Sequence, residues 1–146
     1  MKEIWKDIPS IPEMQASSFG RVKLKPYSKT YSHGGVRHYN PKPRWGVEQK
    51  SASGRPGIPK RRLIYILRLK KCFIVARLVC EAFHGQQPAG KPIVIHLDED
   101  PSNNRPSNLC WGTQKENLNM PQVLEYFNSR RGEKSPRTIW KNRKEV

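Results

Sequence analysis

The sequence predicts an α+β fold: a small ββα unit, preceded by an N-terminal β module and a basic irregular arm and followed by a basic C-terminal tail. Three observations predict it. Ile93-Val94-Ile95 is a β-branched run introduced by Pro92, which suits a buried strand better than a helix. Asp98 to Asn104 is a dense block of turn formers, after which Asn108-Leu109-Cys110-Trp111 reads as a second short strand returning beside the first. Thr113 with Glu116 three residues on spells a capping box, so a helix starts near Gln114 and carries Asn117 in its first turn or two.

Residues 1–25 hold the N-terminal module. Gly20 suits a tight turn before a strand from Arg21 to Leu24, and Trp5 and Ile8 form a small satellite core. Residues 26–62 lack any sustained apolar period. They carry Gly34-Gly35, Pro41, Pro43, Pro56, Gly57 and Pro59 among many lysines and arginines, which predicts an extended, turn-rich arm. Tyr27, Tyr31, Tyr39 and Trp45 are interleaved, to anchor the arm or to stack on bases. Phosphate contact is the expected role, since mixed lysine and arginine positions a protein on DNA more often than it reads sequence.

Residues 63–128 make the central domain. Leu63 to Lys71 is a strong strand signal, with a reversal near Lys70-Lys71 returning the chain through Cys72-Phe73-Ile74. Val75, Leu78, Val79, Ala82 and Phe83 recur at helical spacing. His84-Gly85 ends that helix, and Pro88, Gly90 and Pro92 make the linker into the Ile93 strand. After Asn117 the helix pauses at Pro121, and Val123, Leu124, Tyr126 and Phe127 give a further turn or two. The tail, residues 129–146, is basic and reads as a phosphate-binding extension.

At 146 residues and 35% hydrophobic content, the chain holds one small core with extensions. Lys and Arg number 28 against 12 Asp and Glu, a net charge of +16, which favours a polyanion partner. Nucleic acid outranks a membrane, because no stretch is long and apolar enough to span a bilayer and no basic amphipathic helix stands out. The N-terminus has no signal-peptide apolar core, so a cytoplasmic site is expected. Cys72, Cys80 and Cys110 lie in apolar stretches without C-x-x-C spacing and read as buried free thiols.

His96 ends the first strand, 12 residues before Asn108 and 21 before Asn117. Together with Asn103-Asn104, Leu109, Trp111 and Thr113, this pattern resembles the HNH nucleases of phage genomes and phage introns, whose ββα-metal motif cuts DNA. Trp5-Lys6-Asp7-Ile8 and Ser17 to Val22 resemble the tryptophan-led module that begins many phage homing endonucleases, with departures at Pro9-Ser10 and Ala16. Arg77-Leu78-Val79 and Glu81-Ala82-Phe83 match the helix that precedes the motif, with Ala76 where relatives have His. The resemblance implies a metal-dependent endonuclease acting in a phage-infected bacterial host, with its motif helix along the minor groove.

On that resemblance His96 is the general base, Asn108 orients the histidine and ties the loop, and Asn117 is a metal ligand. The chemistry wants these types. An imidazole titrates near neutral pH and can take a proton from water. A hard divalent ion with oxygen ligands, Mg²⁺ or Mn²⁺, suits the crowded phosphate charge. Relatives with a well-defined metal site carry Asp, Asn or His just before the histidine. Here that residue is Ile95, and Asp98 is the substitute ligand. Arg61, Arg62, Lys70, Lys71, Arg105, Lys115, Arg130 and Arg131 are the candidate DNA contacts, and a monomer is favoured. The alternative is a catalytically weakened HNH scaffold that binds nucleic acid or a protein partner.

Overall fold

The computed structural model describes residues 2–49 and 60–129. The tail with Arg130 and Arg131, and the arm's Arg55 to Pro59, lie outside the described residues. The N-terminal module is an antiparallel sheet of β1 (Trp5–Ile8), β2 (Ile11–Ser17) and β3 (Val22–Leu24), in that order. A second sheet holds β6 (Val47–Glu48), β7 (Arg62–Ile66) and β8 (Lys71–Ile74). Helix α1 (Val75–His84) leads to the two-stranded ribbon of β9 (Ile93–His96) and β10 (Leu109–Gly112). Helices α2 (Gln114–Leu118) and α3 (Pro121–Ser129) follow, with Pro121 opening α3 as the sequence suggests.

Helix α1 is the hub, touching β1, β2, β3, β7, β8, β9 and β10. Its apolar stripe of Val75, Leu78 and Val79, with Ala76 and Cys80, meets Ile8, Met14, Ala16 and Val22 from the first sheet. Ile64, Ile66, Leu109 and Trp111 complete the same cluster. Ile8 therefore belongs to the main core, where the sequence suggested a satellite. A buried polar clamp reinforces this joint: Glu81 of α1 accepts from the Ser10 backbone N–H at 2.7 Å and from its hydroxyl at 2.9 Å. Ser10 sits in the β1–β2 turn, where the chain departs from the module it resembles.

Three expectations need correction. The strand over Leu63 to Lys71 stops at Ile66. A single 3₁₀ turn, Leu67–Leu69, and Lys70 with φ of 49° reverse the chain into β8. Leu67 faces water there, so its β propensity has no buried face to serve. Cys72 is exposed, because it pairs with the outward Tyr65 across β7 and β8. All three cysteines are free, and burial pushes the Cys80 thiol up to about 12.

The third concerns the arm, which contains a regular hairpin of β4 (Tyr27–Thr30) and β5 (Val36–Tyr39). It has almost no apolar burial. Tyr27 and Tyr39 are directly cross-strand partners, with ring centroids 4.8 Å apart and planes 9° from parallel. The Arg68 guanidinium lies over Tyr27 at 4.1 Å and Arg37 over Tyr39 at 5.3 Å. Stacking and cation–π contact thus hold the two strands where hydrophobic alternation does not.

Candidate active site

The β9–β10 register pairs His96 with Leu109, Ile95 with Cys110 and Val94 with Trp111. Val94 packs on the core beside Trp111, whose indole N–H donates to the Gly85 carbonyl at 2.9 Å, just past the end of α1. The ribbon is thereby fixed to α1 from below. His96, half-buried, stands at its open end.

The loop from Leu97 to Asn108 is tied by its own side chains. Asn108 accepts from the Asp98 N–H through Oδ1 at 3.0 Å and donates through Nδ2 to Asp98 Oδ1 at 2.8 Å and to the Asn103 carbonyl at 2.9 Å. Its own carbonyl accepts from the Leu97 N–H at 2.9 Å. Asp98 takes two more bonds, from the Asp100 N–H at 2.9 Å and from Asn103 Nδ2 at 2.6 Å. Asn108 closes a 3₁₀ turn, Pro106–Asn108, so the second strand begins one residue later than the sequence suggests.

Burial alone pushes the Asp98 carboxyl up, but hydrogen bonds from Asn103, the Asp100 N–H and Asn108 outweigh it and hold the group below its usual range. A depressed folded value means stability that is complete above the unfolded value of about 4 and lost as pH falls through the folded one. We expect the loop to loosen on acidification from that point downward. An NMR acid titration checks it: the Asp100 and Asn108 backbone signals shift together, and in Asp98→Asn they are already displaced at neutral pH.

The His96 ring has its side-chain partner on this loop too. Nε2 lies 3.1 Å from Asn104 Oδ1. Asn104 is 4% exposed, and its Nδ2 has no hydrogen-bond partner among the described residues. An unpaired buried donor costs about 1–3 kcal/mol. The sequence had marked Asn104 merely as half of an Asn-Asn pair. Nothing in a string of turn formers says which one turns inward.

Gly20 of the N-terminal module presses on this spot. Its φ is +86°, and a Cβ there would sit 2.7 Å from the Asn104 carbonyl oxygen. Gly20→Ala is expected to destabilise the protein by roughly 2–4 kcal/mol, from left-handed backbone strain plus overpacking. Urea unfolding measures this.

Helix α2 starts as the capping box requires. Thr113 Oγ1 accepts from the Glu116 N–H, and the Glu116 carboxylate accepts from the Thr113 N–H at 2.7 Å. Asn117, half-buried in the last turn, makes no side-chain hydrogen bond among the described residues. Ile95, next to His96, is 5% exposed and packs against this helix start. Its Cδ1 lies 2.3 Å from where a Gly112 Cβ would stand, with a Glu116 oxygen 3.0 Å from the same point. Glycine at 112 makes the notch that admits the isoleucine.

The donor set can be tested against a divalent ion. Among the described residues there is no group of three His, Cys, Asp or Glu placed to hold a metal. What remains is oxygen: the unengaged Asn117 carboxamide, and Asp98, whose two oxygens already serve the loop. Mg²⁺ keeps several waters and is commonly held by one or two protein oxygens plus substrate phosphates, so these residues fit such an ion and fit Zn²⁺ poorly.

Of the candidate DNA contacts, Lys70 and Lys71 lie exposed at the β7–β8 reversal, and Arg105 and Lys115 are exposed on the loop and on α2. Arg61 donates to Gln49 at 2.6 Å, and Arg62 is half-buried in β7 with a long bond to the Gly46 carbonyl. Among the described residues no helix is long and apolar enough to cross a membrane.

A family model described as an HNH endonuclease matches residues 74–119. No curated protein matches the chain. A solved structure described as "DNA binding and cleavage by the HNH homing endonuclease I-HmuI" is similar at a TM-score of 0.48 and 27% identity, over 87% of this chain. This chain spans 59% of that protein's length. The matched segment runs from the end of β8 through α1 and the ribbon to the end of α2, and so encloses His96, Asn108 and Asn117: within this small α+β fold, the part that holds them is similar to the HNH endonuclease family.

Proposed function

We propose that this protein is a metal-dependent endonuclease that hydrolyses phosphodiester bonds in double-stranded DNA, with His96 as general base. The observation that carries the reading is the half-buried imidazole at the open end of β9, 3.1 Å from the buried Asn104 side chain and beside a loop tied by Asn108. His96 takes the proton of the attacking water. Asn108 keeps the loop closed so that the ring has a fixed neighbour. Asn117, with Asp98 as second oxygen donor, would hold Mg²⁺ or Mn²⁺. Such an ion, when bound, offsets the charge that builds on the phosphate and the leaving oxygen.

The net charge of +16 supplies affinity for the polyanion. Lys70, Lys71, Arg105 and Lys115 present exposed ammonium and guanidinium groups for phosphate contact, and Arg61, Arg62, Arg130 and Arg131 complete the proposed set. A monomer in the host-cell cytoplasm is the accompanying proposal. The division into module, arm, nuclease domain and tail, at residues 1–25, 26–62, 63–128 and 129–146, is likewise ours.

One observation favours a second reading. The buried Ile95 puts a hydrocarbon where relatives with a well-defined metal site place a donor, so a weakened scaffold that binds nucleic acid or a protein partner is the competing function. A plasmid nicking assay across Mg²⁺, Mn²⁺ and Zn²⁺ separates the two. Nicking with Mg²⁺ or Mn²⁺ supports the endonuclease. No nicking, together with no divalent binding by calorimetry, supports the scaffold.

A further inference from the structure

We propose that Asn104 is the residue that positions His96, holding the ring with its proton on Nε2 and leaving Nδ1 as the nitrogen that takes a proton from water. This deepens the endonuclease reading and rests on it for the word "base", but the placement of the ring stands on geometry alone.

The argument starts from a mismatch. The Asn108 side chain is fully committed elsewhere, to Asp98 and Asn103. The side chain that reaches the imidazole is Asn104, at 3.1 Å. A carbonyl oxygen accepts and cannot donate, so the nitrogen facing it must carry the hydrogen. With Nε2 protonated in the neutral ring, the lone pair lies on Nδ1.

A buried amide with one satisfied group and one orphaned donor is a poor structural choice. Leucine would fill much the same volume with no polar atom to leave unpaired. The fold retains the amide although, among the described residues, its one side-chain bond goes to His96, and that bond is the reason the position supplies. Two features lock the amide in place. Gly20 abuts the Asn104 backbone carbonyl, leaving no room for the loop to shift toward the N-terminal sheet. On the other side, Asn108 Nδ2 pins the preceding Asn103 carbonyl. The N-terminal module thus acts on the imidazole through one intermediary.

The test uses the full chain and two substitutions, Asn104→Leu and Asn104→Asp. Nitrogen-15 NMR of the imidazole, recorded without DNA, should show a slowly exchanging proton on Nε2 in the wild type. Asn104→Leu should lose that signal while melting at or above the wild-type temperature, since the orphan donor is gone. Its nicking kcat should fall roughly 10- to 100-fold with KM for plasmid little changed, as expected for a misplaced group. Asn104→Asp keeps an acceptor and should retain the Nε2 proton and more activity than Asn104→Leu.

A wild-type ring protonated on Nδ1, or an Asn104→Leu protein that nicks at the wild-type kcat, overturns the proposal. So does an Asn104→Leu protein that loses melting temperature and activity together while keeping the Nε2 proton. If the wild type itself fails to nick with any divalent ion, the endonuclease reading falls, and the NMR arm still decides whether Asn104 sets the ring.

Discussion

On the proposed mechanism, His96→Ala is expected to lower plasmid nicking by about 10²- to 10⁴-fold, the usual contribution of a positioned general base. DNA affinity should stay within about twofold, because on this proposal it comes from the many exposed lysines and arginines and not from one side chain. The two readouts must separate. His96 projects from the end of β9 and belongs to no part of the buried cluster, so its removal leaves Val94, Leu109 and Trp111 packed as before. A gel-shift titration beside a single-turnover nicking assay makes the comparison. Equal cleavage by the variant removes His96 from the mechanism, and loss of binding in parallel with cleavage assigns it a structural role instead.

Ile95→Asp gives the second large effect, with opposite signs in the absence and presence of metal. Without divalent ions we expect a loss of about 2–5 kcal/mol, from the vacated notch at Gly112 and the burial of a carboxylate. The new carboxylate also meets Glu116, whose charge is kept by the Thr113 N–H and hydroxyl that hold its carboxyl below the usual range. On the proposed assignment, the new carboxylate and Asn117 would together hold Mn²⁺ or Mg²⁺, whose charge would offset that repulsion, so the variant's melting temperature should climb with ion concentration more steeply than the wild type's. Nicking should rise in step. A variant whose melting point ignores both ions shows that Asn117 is not a ligand.

Much of the site was legible in the sequence because local chemistry writes it. Thr113 and Glu116 specify their helix start by reciprocal bonds three residues apart, and that box is present. Pro92 and the β-branched run gave β9, and the turn formers gave the loop. The asparagines were harder. Asn103, Asn104 and Asn108 are equivalent as letters, yet one ties the loop to Asp98, one props it, and one turns inward to His96. That division depends on how Gly20, far away in sequence, meets the loop. The β4–β5 hairpin was invisible for a different reason: hydrophobic periodicity finds strands with a buried face, and this pair has none. Tyr27 opposite Tyr39 was a cross-strand signal that becomes readable once the register is known.

The single cluster around α1 bears on how the HNH-like segment can be moved between proteins. The HNH match begins at Ile74, yet Val75, Val79 and Cys80 are covered by Ile8, Met14, Val22 and Ile64, all upstream of it. A fragment trimmed to the match would put that face of the helix in water, in a chain scarcely longer than the ~40 residues below which domains usually need outside support. The smallest transplantable unit therefore includes the first sheet, and a chimera that replaces the leading strands must supply its own cover for that helix.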